Sequence, residues 1–117
     1  MSEYEMVTSE LAKVHLNERY KNAVSSGNVV LVMNGRPTFP MCGFSSTVCQ
    51  MLKQNNIVFR TVDVLADPEL SEYFREKNTP EVIPYLYVHG KFIGGYNKIV
   101  SLFQSGEFFE VYPSSLR

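Results

Sequence analysis

The sequence predicts a small α/β sandwich, a four-stranded mixed sheet with helices on both faces. Three observations carry that prediction. The chain has 117 residues, 44% of them apolar and 20% charged, which is the size and composition of one globular domain. A short β-branched run, Val29 to Met33, lies between two stretches of helical periodicity. Helix and strand signals then alternate until a late strand pair completes the order α-β-α-β-α-β-β-α.

Each element has its own signal. Residues about 9–26 read as a helix, because Leu11, Val14, Tyr20, Ala23 and Val24 recur at helical spacing before Ser25, Ser26, Gly27 and Asn28 stop it. Val29 to Met33 is continuously apolar and reads as a strand buried on both faces. Asn34 to Pro40 reads as a loop, since Pro37 and Pro40 oppose regular structure. From Cys42 to about Gln54 the pattern is helical, with Val48, Met51 and Leu52 on one face and Asn55–Asn56 as the stop. Ile57 to Val64 alternates as a strand does. Asp67 suits an N-cap and Pro68 a first helical residue, so a helix spans about 68–77. Pro80 and Pro84 bracket a break, and Tyr85 to His89 pairs with Lys91 to Ile93 around Gly90. Gly94 and Gly95 lead to a helix over about 97–105, stopped by Gly106, and Phe108 to Arg117 forms a weakly patterned tail. The first βαβ unit requires a right-handed crossover between parallel strands, and the late pair is an antiparallel hairpin. This order is of the thioredoxin type.

Composition excludes several function classes. Eleven basic and twelve acidic residues give a formal net charge of −1, which leaves no bulk positive charge for nucleic acid. No apolar run approaches the roughly 18–20 residues that span a bilayer, so no membrane partner is expected. Two cysteines make neither a disulfide scaffold nor a four-cysteine zinc site. Met1 to Leu11 is acidic and lacks the basic start and apolar stretch of a secretory signal. A cytoplasmic location is the expectation, with the mitochondrial matrix as the alternative if a transit peptide has been trimmed. In a reducing compartment both thiols stay free.

The chemically informative segment is Pro40-Met41-Cys42-Gly43-Phe44-Ser45. Cys42 follows a buried strand and a loop and stands at the first turn of a helix. Free backbone N–H groups and the helix dipole favour a thiolate there, so its pKa should fall below the free value of about 8.5. Pro40 stiffens the approach, and Gly43 keeps the space beside the sulfur clear. Ser45 stands where a Cys-x-x-Cys motif would place its second thiol. The bland reading of Cys42 is a buried structural thiol. Cys49, two helical turns on, lies about 10 Å away, too far for a disulfide, and reads as a small buried hydrophobe. Phe39 and Phe44 could shield the sulfur or dock a partner, with core packing as the other reading of Phe39. His15 and His89 read as surface residues.

Cys42-Gly43-Phe44-Ser45 resembles the CGFS active site of monothiol glutaredoxins, and the strand and loop from Val30 to Pro37 resemble the approach to it. Asp63-Val64-Leu65 with Asp67-Pro68-Glu69-Leu70 is similar to the family's strand-to-helix turn. Ile83-Pro84-Tyr85-Leu86-Tyr87-Val88, followed by Gly90, Phe92, Gly94 and Gly95, is similar to its strand pair and double glycine, and Ser105-Gly106-Glu107 to the end of its last helix. The likeness covers residues about 10–110, so residues 1–117 are expected to form a single glutaredoxin domain. It implies a cis bond before Pro84, which exposes the backbone of Ile83 to an extended thiol peptide. It also implies that Gly94 and Gly95 let backbone approach a ligand at a helix N-terminus suited to a carboxylate.

In that family the thiol peptide is glutathione. The resemblance assigns small-thiol binding to Asn34, Cys42, Phe44, Val82, Ile83, Pro84, Gly95, Tyr96 and Asn97, with Cys42 also the catalytic residue and the metal ligand. The sequence departs from the family at several polar contacts. Asn34 stands for a lysine, Ser71 for an arginine, Pro80-Glu81-Val82 for Trp-Pro-Thr, and Asn97 for an aspartate. Charges that would grip glutathione are neutral here, and Glu81 adds a like charge. Charge-assisted bonds contribute about 1.5–3 kcal/mol each, so glutathione is expected to bind weakly, or a related thiol to replace it. Arg36 and Arg75 could compensate or could be solvated side chains.

Three functions follow as expectations. One is a cluster-handling protein for iron–sulfur assembly and transfer and for iron homeostasis. A [2Fe–2S] centre needs four ligands, which two copies of Cys42 and two external thiols supply in a cluster-bridged homodimer, while the apo chain is a monomer. Its partners would be the small thiol and iron–sulfur client proteins. The second is a thiol-disulfide oxidoreductase of weak activity that deglutathionylates proteins, a second glutathione resolving what Ser45 cannot. The third is a non-redox binding module of the same fold.

Overall fold

The computed structural model describes residues 3–112, with side chains from residue 11 onward. The central strand is β1 (Val29–Met33), and all five of its residues are buried. It pairs in parallel with β4 (Arg60–Asp63) and antiparallel with β5 (Tyr85–Val88), which pairs antiparallel with β6 (Lys91–Gly94). This is the four-stranded mixed sheet that the sequence predicts, and its order is β4-β1-β5-β6. Both faces of β1 are covered, which explains why its sequence is apolar without alternation.

Alternate residues of β1 serve two cores. Val29, Leu31 and Met33 pack with Val48 and Leu52 of α2 (Gly43–Gln54) and with Ile99 and Leu102 of α4 (Tyr96–Ser105). Val30 and Val32 pack on the other face with Val24 of α1 (Glu3–Val24) and with Leu70 and Phe74 of α3 (Pro68–Asn78). In that second core the Tyr87 hydroxyl accepts from Asn78 Nδ2 at 3.0 Å and from Tyr20 at 3.3 Å, so no buried polar side chain among the described residues lacks a partner.

Four expectations change. α1 starts at Glu3 rather than near residue 9, and Leu11 and Val14 are about half exposed. The core takes Leu16 with the expected Tyr20, Ala23 and Val24, and no glycine or proline stands in the turns before them to stop the helix. The loop over 34–40 contains a small hairpin, β2 (Gly35–Arg36) with β3 (Phe39–Pro40). A two-stranded ribbon tolerates proline at its edge, where no further strand needs the missing N–H. The strand predicted over Ile57–Val64 shrinks to β4, because ladder pairing with β1 begins only at Arg60, opposite Val30. Ile57 is instead bonded to Leu52 and Val58 is exposed, while Val64–Ala66 forms a 3-10 turn capped by Asp63. The predicted tail begins with a helical turn, α5 (Phe108–Val111), whose Phe108 is fully buried with Tyr112 beside it. Four residues are too few to show a helical period. The rest of that tail lies outside the described residues.

The remaining boundaries agree. Asp67 caps α3 by accepting from Leu70 N–H at 3.2 Å, with Pro68 in the first turn. Gly106 ends α4 in the left-handed conformation. The bond before Pro84 is cis, and so is the bond before Pro80.

Candidate functional site

Cys42 is the N-cap of α2, in extended conformation, and its Sγ accepts from the Ser45 amide at 3.3 Å. The chain reaches it from β1 through the hairpin. Asp63, at the end of β4, accepts from the Gly35 amide at 2.9 Å and from the Leu65 amide at 2.9 Å, which ties that hairpin to the sheet. Met41 N–H then bonds back to the Asn34 carbonyl at 2.9 Å.

Ser45 is more than the residue that replaces a second thiol. Its side chain is completely buried, and its Oγ lies 3.1 Å from Cys42 Sγ. That same oxygen accepts from the Asn34 N–H at 3.2 Å, leaving the hydroxyl proton free to point at the sulfur. Partial burial by itself pushes the Cys42 thiol up. The Ser45 hydroxyl and amide, the Asn34 side chain and the Phe44 amide outweigh it, and the thiol lies below its ordinary range. The sequence contained the signal for Ser45: a polar side chain three residues after an N-cap is in reach of that cap.

The two cysteines have opposite environments. Cys42 is free and partly exposed, beside Phe39, Pro40, Met41, Gly43 and Ser46. Phe39 is 70% exposed and so belongs to the surface around the sulfur, not to the core. Around a Cβ built on Gly43 there is open space. Cys49 is free but buried, with Sγ 3.4 Å from Met33 Sδ. Burial raises its thiol, with Lys53 opposing.

The residues assigned to small-thiol binding fall into groups. Asn34, Val82 and Ile83 line one cleft with Ser71, Arg75 and Glu81, and Pro84 is buried and does not line it. Phe44 stacks on Tyr96 with ring centroids 4.3 Å apart, joining the heads of α2 and α4. Asn97 is exposed on the first turn of α4 and does not line the cleft. Gly95 caps α4, and the close approach expected there is to the chain itself. A Cβ on Gly95 would sit 2.5 Å from the Val82 carbonyl oxygen, and that oxygen accepts from the Tyr96 amide at 3.0 Å. The Gly95 N–H donates to Glu81 Oε2 at 3.2 Å, so the carboxylate at the head of α4 is the protein's own. Arg75 lines the cleft but is paired with Glu72, its Nε donating at 3.2 Å. Arg36 is exposed on the hairpin, and His15 and His89 are exposed as expected.

Comparison with known proteins agrees with this fold. The Glutaredoxin family model matches residues 29–93. A monothiol glutaredoxin ycf64-like protein of Synechocystis is 38% identical over 98 residues, covering 84% of this chain and 92% of that protein. The mitochondrial monothiol glutaredoxin-5 of Saccharomyces cerevisiae is 40% identical over 95 residues, covering 79% of this chain and 63% of its own length. Among solved structures, the reduced apo form of poplar GrxS14 superposes with a TM-score of 0.70 at 38% identity, covering 83% of this chain and 89% of that one.

Proposed function

The chain belongs to the glutaredoxin family, on its monothiol branch, and from that premise we propose that it carries a [2Fe–2S] cluster for iron–sulfur assembly, transfer and iron homeostasis. The observation that carries this reading is a partly exposed thiol with lowered pKa and no second thiol beside it. A thiolate is the right donor for iron, and a cluster needs four such ligands. Among the described residues no group of three or more His, Cys, Asp or Glu could hold a metal, so each chain offers Cys42 alone. That donor set fits a cluster shared by two copies and completed by two molecules of glutathione or a related thiol.

In this reading the cluster is cargo, and each residue has a separate task. Cys42 holds iron, with Ser45 and Asn34 keeping it anionic before the metal arrives. The cleft at Asn34, Val82 and Ile83 receives the small thiol, with Pro84 buried next to Ile83. Phe44 and Tyr96 wall the sulfur on the α4 side, and Gly95 and Asn97 present the first turn of α4. Client iron–sulfur proteins dock around the exposed Phe39, Met41 and Phe44. We place the protein in the cytoplasm, with the mitochondrial matrix as the alternative for a chain trimmed of a transit peptide.

The test is anaerobic reconstitution with iron, sulfide and glutathione. Wild type should turn brown with absorbance near 400 nm, and Cys42→Ser should stay colourless. A wild type that stays colourless both with glutathione and with its diethyl ester overturns the reading. The lowered thiol pKa supports a second activity as well. Cys42 thiolate attacks the protein-side partner's glutathionyl sulfur, releasing the client thiolate. A second glutathione thiolate then attacks that mixed disulfide, releasing Cys42 and oxidised glutathione. A disulfide-reduction assay without iron measures it separately.

A further inference from the structure

The small-thiol cleft has an unusual charge balance. Of the residues lining it, Arg75 is the cation and Glu81 the anion. Arg75 is paired with Glu72 on the same helix. Among the described residues no lysine or arginine pairs with Glu81; its carboxylate rests on the Gly95 N–H at the head of α4. The neighbouring Tyr96 amide is taken by the Val82 carbonyl. Backbone amides at a helix N-terminus are where a bound carboxylate would be held. Here the first of them has a resident carboxylate, supplied from the cleft wall itself.

We propose that Glu81 is a specificity-determining residue of this cleft. By placing a carboxylate on the cleft wall, fixed there by the Gly95 amide, it turns the cleft away from thiols that end in carboxylates and toward thiols whose far end is neutral or an amine. An entering carboxylate must sit beside the like charge of Glu81, whereas a neutral or amine end meets no such repulsion. The proposal rests on the reading that this cleft receives a small thiol.

The experiment uses S-methylglutathione, which cannot exchange with Cys42, and its diethyl ester, titrated calorimetrically into wild type, Glu81→Gln and Glu81→Ala. Glu81→Gln keeps the side chain's shape and an acceptor for Gly95, which guards against a folding artefact in Glu81→Ala. Wild type should prefer the diester. Both substitutions should tighten S-methylglutathione by about tenfold, the low end of one charge-assisted bond, and change the diester by less than about twofold. If the diacid-to-diester ratio is the same in all three proteins, Glu81 does not set selectivity, and the small-thiol reading stands without it. If neither ligand binds any of the three, the small-thiol reading falls and this proposal with it.

Discussion

Around Cys42 the decisive contacts are hydrogen bonds to one sulfur from the turn that follows it. Ser45 accepts from the Asn34 amide and its Oγ lies 3.1 Å from Cys42 Sγ, so it links the end of β1 to that sulfur. Ser45→Ala should therefore move the Cys42 midpoint upward and slow alkylation at neutral pH several-fold, as read by iodoacetamide labelling against pH. An unchanged profile would remove Ser45 from that role. The sign follows from the direction of the shift: a thiol lowered in the folded state stabilises the fold fully above its unfolded pKa, and the contribution fades as pH falls through the folded one. The other cysteine should behave oppositely. Cys49→Ser puts a hydroxyl among Met33 and its apolar neighbours and should cost about 1–3 kcal/mol in denaturant unfolding, while Cys42 labelling and cluster colour persist. Loss of cluster colour on that substitution would make Cys49 a ligand. The lowering of the Cys42 thiol was legible from a cysteine at a loop-to-helix junction. The Glu81–Gly95 bond was not, since it joins residues 14 apart whose separation depends on how α4 docks.

At the scale of elements, two glycines near the site answer to different constraints. Gly95 is pressed against the Val82 carbonyl, so Gly95→Ala should separate α4 from the loop before β5 and cost about 1–3 kcal/mol, the range for overpacking. Gly43 has open space around it, so Gly43→Ala should leave stability unchanged or raise it by up to about 1 kcal/mol through helix propensity. Urea midpoints of the two variants give the comparison, and equal midpoints would contradict it. The short α5 is a second case in which packing decides. Phe108 is fully buried and stacked on Phe103 with centroids 4.2 Å apart. Phe108→Ala should cost about 3–5 kcal/mol in thermal or denaturant unfolding. A loss below about 1 kcal/mol would return that segment to the status of a tail.

For the molecule as a whole, the question is assembly. The described chain has a core on each face of its sheet, and the apo protein should elute as a monomer. Reconstituted with iron, sulfide and a small thiol, it should elute as a brown dimer that returns to monomer when the cluster is lost, because the metal centre joins the copies. Size-exclusion chromatography followed near 400 nm checks this. A colourless dimer or a brown monomer would contradict it.

The sequence by itself determined the order of the main helices and of the four sheet strands, the buried central strand, the capping of α3 and the place of Cys42 at the head of α2. These depend on local signals, in which a run of β-branched residues, an Asp-Pro start or a cysteine after a loop acts within a few residues of chain. Tertiary structure alone decided where β4 begins, that Phe108 enters the core, that Ser45 is shared between Asn34 and Cys42, and that Glu81 reaches Gly95. Each of these depends on the distance between segments far apart in the chain, which the packing of helices on the sheet sets and local sequence patterning does not encode.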